Sequence, residues 1–277
     1  TNIYKKTNEF SKLLVDELSH VEEQFNFLYV GHWLQGGLGQ DRKDTGMLVK
    51  VFCETFKNMK NQPALIMKTS SAGFSVLDRE NMLNKIKEIK DGIKGKLPNI
   101  YLLHGDFLDE EINELYNHPK VKAHITFTHA EGYGRPLLEA SISEKPIIAP
   151  KWSGHVDFLD SSKSITLDGQ LTNVEKGSFP DQYLVDGAQW FTVNYQKASQ
   201  TLRTVYRSYK KYITNAKKLA IQNKSKFSLD AMTREFGIIL DKYVPEFAEE
   251  VKLQLPKLKK VDSSDAPKIK LPKLKKV

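Results

Sequence analysis

Residues 125–150, ITFTHAEGYGRPLLEASISEKPIIAP, carry a strand, a turn and a helix start in one uninterrupted run. The apolar and β-branched residues up to Phe127 read as a strand. Glu131, Gly132 and Gly134 follow in a turn. Pro136 then suits the first turn of a helix, where its missing N–H costs nothing. Glu139 falls about one turn into that helix, and the apolar run KPIIA at 145–149 predicts the next strand. Strand, glycine turn, helix and strand together form the repeating unit of a parallel sheet.

The alternation extends in both directions. Short apolar runs at 26–30 (NFLYV), 64–68 (ALIMK), 99–103 (NIYLL), 122–127 (KAHITF) and 164–167 (SITL) predict further strands. Amphipathic segments at 45–59, 78–91, 108–117 and 136–144 predict the helices between them. Strands this short and this uniformly apolar are buried on both faces, so the expected fold is α/β: a Rossmann-like parallel sheet with helices on both faces. Ligands of such sheets bind beyond the carboxyl ends of the strands.

Residues 169–195, with Gly169, Gly177, Pro180 and Gly187, read as a long loop anchored by Trp190 and Phe191. Two long C-terminal helices are expected at 196–222 and 228–244, the second stopped by Pro245. Residues 1–24 read as a linker or the end of a preceding domain, 25–248 as the Rossmann-like domain, and 249–277 as a Lys-rich tail.

The net charge of +8 belongs almost wholly to that tail. Residues 251–277 hold nine Lys against two Asp, a balance of +7 that leaves +1 for the other 250 residues. A nearly neutral body argues against a nucleic-acid partner, which calls for a basic face on the fold. Within the tail, KLQLPKLKKV (252–261) and KIKLPKLKKV (268–277) match at eight of ten positions around the spacer DSSDAP. One reading is a disordered, solvated tail. The other is a duplicated motif that raises avidity for an anionic membrane or an acidic protein.

Cys53 is the only cysteine, which excludes an intramolecular disulfide and suits a reducing compartment. No apolar run approaches the ~18–20 residues of a membrane span and no signal peptide is visible, so a cytoplasmic protein, at most peripheral to a membrane, is expected. Thr1 in place of Met predicts a piece of a longer chain.

The 125–150 run also carries chemistry. Gly132 and Gly134 let a backbone approach a ligand closely, and free N–H groups at a helix start favour an anion such as a diphosphate. Glu139 is placed to accept hydrogen bonds from the hydroxyl pair of a ribose, and Glu131 to contact a sugar ring. Spacing alone proves little, since two Glu eight positions apart arise by chance about once in a chain this acidic. The plainer alternative is an ordinary βα turn with two solvated carboxylates.

A diphosphate beside two Glu requires cations. The loop 31–46, GHWLQGGLGQDRKDTG, offers Lys43 first and Arg42 second, unless both sit on a solvated helix start. There is no Asp-x-Asp, and the seven His show no His-x3-His spacing, so no metal and no cofactor are expected. His129, His155, Trp152, Trp190 and Phe191 are expected to be structural.

HAEGYGRPLLEA at 129–140 resembles the Glu-x7-Glu motif of retaining glycosyltransferases of the GT-B fold, the glycosyl transferases group 1 family. KPIIAPKWSGHVDFL (145–159) is similar to that family's next strand and glycine loop, and KFSLDAMTREFGIIL (226–240) to its closing helix. The opening TNIYKK looks like the linker into the family's second, donor-binding domain, which implies that the first, acceptor-binding domain is absent here.

The resemblance implies transfer of a sugar from a nucleotide-diphosphate donor to a glycan, lipid or protein acceptor with retention. It places Glu131 on the sugar and Glu139 on the ribose. The backbone of Gly134, Arg135, Pro136 and Leu137 would face the sugar and diphosphate, and Gly105 and Asp106 would lie near the base. His32 stands where the family often has Arg. The rival readings are a nucleotide-sugar-binding module without catalysis and an interaction protein acting through its tail.

Overall fold

The computed structural model describes residues 3–245 except 35, 72 and 179–183. The chain divides into two compact units, Thr1–Phe236 and Gly237–Val277. In the second unit the described residues are 237–245, helical through Tyr243. The repeat at 252–277, expected as a disordered or partner-seeking tail, lies outside the described residues.

The elements run α1 (Lys12–Ser19), β1 (Asn26–Val30), α2 (Thr45–Phe56), β2 (Ala64–Lys68), α3 (Val76–Asp91), β3 (Ile100–Leu103), α4 (Asp109–Asn117) and β4 (Val121–Ile125). They continue with α5 (Arg135–Ser141), β5 (Ile147–Pro150), a 3-10 turn at Gly154–Asp157, β6 (Ile165–Leu167), β7 (Gly169–Asn173), β8 (Gln189–Val193), α6 (Tyr195–Arg207), α7 (Lys210–Lys226) and α8 (Leu229–Tyr243). Six strands form a parallel sheet in the order β3-β2-β1-β4-β5-β6. The order reverses between β1 and β4, the crevice where doubly wound sheets bind ligands.

Side-chain alternation explains the two covered faces. Phe27, Tyr29, Leu65, Met67, Ala123 and Ile125 point to one face and pack with Phe52 and Phe56 of α2, Met82 of α3 and Leu202 of α6. Leu28, Ile66, Ile147 and Ala149 point to the other and pack with Leu14 and Leu18 of α1, Leu115 of α4, Leu137 of α5 and Leu219 of α7; Val121 joins them across a register shift at the start of β4. Each fully buried aliphatic side chain contributes about 1.5–3 kcal/mol. The sheet is therefore sealed on both sides, and its strand ends are where polar chemistry can sit.

Three expectations change. Residues 3–24 add Tyr4, Leu14, Leu18 and Val21 to the second core, so most of the segment read as a linker packs on the sheet. The loop expected at 169–195 contains the antiparallel pair β7 and β8, with Trp190 and Phe191 buried as anchors. The β-branched and aromatic residues of QWFTV form that strand, and the glycines around it mark the turns. The single helix expected at 196–222 is two, α6 and α7, parted at Ser208 and Tyr209. Among the described residues no helix is long and apolar enough to cross a membrane.

Candidate donor site

A cavity of about 500 Å³ opens at the carboxyl ends of β1 and β2 and the loops after β3 and β4. That volume is within the range of small-molecule sites. Its wall includes Arg42, Lys43, Glu131, Gly134, Arg135, Pro136 and Glu139. Leu137 is buried in the core behind this wall. Gly105 and Asp106 do not reach the wall; Phe107 and Lys68 stand there instead.

The β4–α5 turn is held from both sides. Glu131 N–H donates to Ser153 Oγ (2.8 Å), which donates back to Glu131 O (2.6 Å), and Gly154 N–H donates to the same carbonyl (3.0 Å). A Cβ on Gly154 would sit 2.0 Å from Gly132 O, so only glycine lets these loops meet. Gly134 has φ +85°, and a Cβ there would lie 2.9 Å from His155 Cβ. Gly132, read as a second point of close approach, has no comparable constraint from the protein around it. The helix start offers fewer donors than expected: Pro136 has no N–H, and the N–H groups of Leu137 and Leu138 already donate to Gly134 O.

Glu131 is nearly buried and pairs with Lys43 Nζ, while Arg42 Nη1 lies 3.7 Å from its Oε2. Burial lowers the pKa of Lys43, and Glu131 works against that shift. The cation loop is fixed by its backbone. Arg42 O accepts from His129 N–H (2.9 Å), and Arg42 Nη1 donates to Ala130 O (2.7 Å). Behind it, Asp41 accepts from Thr45 N–H, and Asp44, at φ 51°, accepts from Tyr195 OH (2.8 Å). Burial pushes Asp44 up to about 8. His129 stacks on Trp190 with centroids 4.0 Å apart and bonds Phe191 O through Nδ1 (2.8 Å). His155 bonds Pro150 O through Nε2 (2.7 Å). Both histidines therefore brace loops.

Glu139 is 3% exposed. Tyr116 OH donates to its Oε2 (3.4 Å), and Arg135 Nε lies 2.7 Å from its Oε1. Oε1 is itself buried, with Arg135 as its charge partner. Arg135 also lies 3.8 Å from Asp109. Burial raises the pKa of Glu139, and Arg135 opposes the shift.

The cavity recruits residues that the sequence reading passed over. Lys68 carried a signal, a charged residue ending an apolar strand at the edge where ligands bind. Tyr4 and Tyr116 carried none, because their places on the wall depend on how α4 and the segment before α1 dock.

Neither a protein-family model nor a curated protein matches the chain. Solved structures do. The C-terminal domain of a glycosyl transferase group 1 family protein from Francisella tularensis matches with TM-score 0.52 at 14% identity, over 82% of this chain and 97% of that one. Anabaena HepE in complex with UDP-glucose matches with TM-score 0.56 at 14% identity, over 87% and 55%. Sucrose-phosphate synthase from Thermosynechococcus elongatus matches with TM-score 0.56 at 13% identity, over 87% and 50%.

The chain thus has the fold of the C-terminal half of a GT-B glycosyltransferase. It spans nearly all of the isolated C-terminal domain and about half of the longer proteins.

Proposed function

We propose that this chain binds a nucleotide-diphosphate sugar and serves as the donor-binding half of a glycosyltransferase that acts with retention. The observation that carries this reading is the convergence of Lys43, Arg42, Glu131 and Glu139 on one cavity at the strand ends. The diphosphate lies against Lys43 and Arg42, whose charges take the place of a metal ion. Glu139 holds the ribose hydroxyls at Oε1, where they displace Arg135. Glu131, charge-paired and fixed by Ser153 and Gly154, faces the sugar.

As the bond from the anomeric carbon to the diphosphate oxygen breaks, negative charge grows on the leaving group. Lys43 and Arg42 are already placed to stabilise it, which is where preorganised charge lowers a barrier most. An acceptor hydroxyl attacks from the side of a second domain, on the face that the diphosphate leaves, and its proton passes to the departing diphosphate oxygen as the new glycosidic bond forms.

The test is calorimetric titration of the chain with UDP-glucose, followed by transfer assays with the complementary domain present. Glu131→Ala and Lys43→Ala should each lower the transfer rate by roughly 100-fold or more, the scale of removing one group that stabilises a transition state. Rates equal to wild type in both variants would end the reading. The half-length match to HepE and sucrose-phosphate synthase favours a second reading, in which the chain alone binds donor and transfers nothing. Tight donor binding without turnover by the isolated chain would select it.

A further inference from the structure

Resting on the nucleotide-sugar reading, we propose that Lys68 selects the donor's base, favouring one that presents carbonyl oxygens, uracil or guanine, over adenine. Lys68 closes β2 and is 9% exposed. Its Nζ donates to Gly105 O (2.7 Å) and lies 4.8 Å from the Phe107 ring centroid and 5.3 Å from that of Phe74. All three side chains face the cavity.

The sheet order sets which part of the donor this end receives. Arg42, Lys43 and Glu131 stand over the β1/β4 crevice, whereas Lys68, Phe74 and Phe107 stand over β2 and β3, one to two strands away. At about 4.8 Å per strand, the two centres are roughly 5–10 Å apart. With the diphosphate at the cations and the ribose at Glu139, the flat, uncharged base falls between the two phenylalanine rings.

Lys68 decides which base. An ammonium carries three N–H groups and no acceptor, and Gly105 O uses one of them. The remaining two can meet a carbonyl oxygen, as at O4 or O2 of uracil or O6 of guanine. They oppose the N6 amino group of adenine, which is also a donor. Beside Lys68, Thr69 lines the same cavity, and its buried Oγ1 has no hydrogen-bond partner within the protein.

The experiment measures the affinities of UDP, GDP and ADP for the full chain by calorimetry, in wild type, K68M and K68Q. Wild type should bind UDP or GDP about tenfold or more tightly than ADP, the effect of one good charged hydrogen bond. K68M should close that gap to within about threefold while leaving ADP affinity unchanged. K68Q, whose amide both donates and accepts, should close it by improving ADP, and it serves as the readout if K68M fails to fold. ADP bound as well as UDP and GDP by wild type overturns the proposal, as does a gap that survives both substitutions. An equal loss for all three nucleotides in K68M also overturns it, because that pattern assigns Lys68 to the phosphates. Failure of every nucleotide to bind wild type overturns the nucleotide-sugar reading itself, and this proposal with it.

Discussion

Glu131 and Glu139 are both held largely out of water and both paired with a cation, yet the pairs are built differently. Glu131 faces Lys43, whose side chain is only 13% exposed and which sits on a loop bonded to the β4 turn. Glu139 faces Arg135, whose side chain is 68% exposed. In the first pair both charges have been taken out of water, so either one left alone is costly. In the second, the arginine's own charge is solvated if it moves away, and a ligand hydroxyl can take its place against the buried carboxylate. One end of the cavity is preset and the other is covered by a replaceable partner.

A large effect should come from breaking the preset pair. Lys43→Met leaves the Glu131 carboxylate with only Arg42 at 3.7 Å, and should lower unfolding stability by about 3 kcal/mol. The double variant Lys43→Met/Glu131→Gln should recover most of that loss, because neither charge is then stranded. A cycle of urea unfolding measurements gives the coupling. If the four free energies add without coupling, the two pairs do not differ in the way described.

A pH-dependent effect tests what holds Lys43 in place. Burial raises Asp44 to about 8, whereas an unfolded Asp titrates near 4. Between those values the folded chain holds a proton that the unfolded chain has released, so this group makes stability fall as pH rises from about 4 to 8, with no further loss above. Asp44→Asn keeps an acceptor for Tyr195 and removes the charge. Its stability relative to wild type should therefore grow across that window and level off beyond it. A constant difference from pH 4 to 9 would show that Asp44 is ionised throughout.

The same contrast explains what the sequence disclosed. The sheet was legible because the strands are short apolar runs between amphipathic helices: NFLYV and ALIMK are strands over the residues expected, 26–30 and 64–68. The β4–α5 turn was legible because local chemistry dictates it, through Gly134 and Pro136. The hairpin Gly169–Val193 was not, because its glycines signal turns whether or not strands lie between them. After β3 the sequence pointed to Gly105 and Asp106, whereas Phe107 of that loop lines the cavity with Lys68 from the end of β2, because a loop's side-chain directions are set by tertiary contacts. The Arg135–Glu139 pair follows from i,i+4 spacing, but its exposure, which gives it a different role from Lys43–Glu131, belongs to the surface around α5.

The smallest effect is the most discriminating. Arg135→Ala removes the exposed partner of a buried carboxylate, so it should cost less stability than Lys43→Met, which breaks a pair with both charges out of water. If Arg135 only covers Glu139, the variant should bind UDP as well as wild type or up to about threefold more tightly, since the ribose no longer displaces a charged neighbour. Glu139→Ala should instead weaken UDP by about tenfold, and should bind UDP and its 2′,3′-dideoxy analogue equally, because the lost contact is with the hydroxyls. Arg135→Ala should preserve the preference for UDP over that analogue. If it abolishes the preference, the arginine is part of the ribose site, and the two ends of the cavity are preset alike.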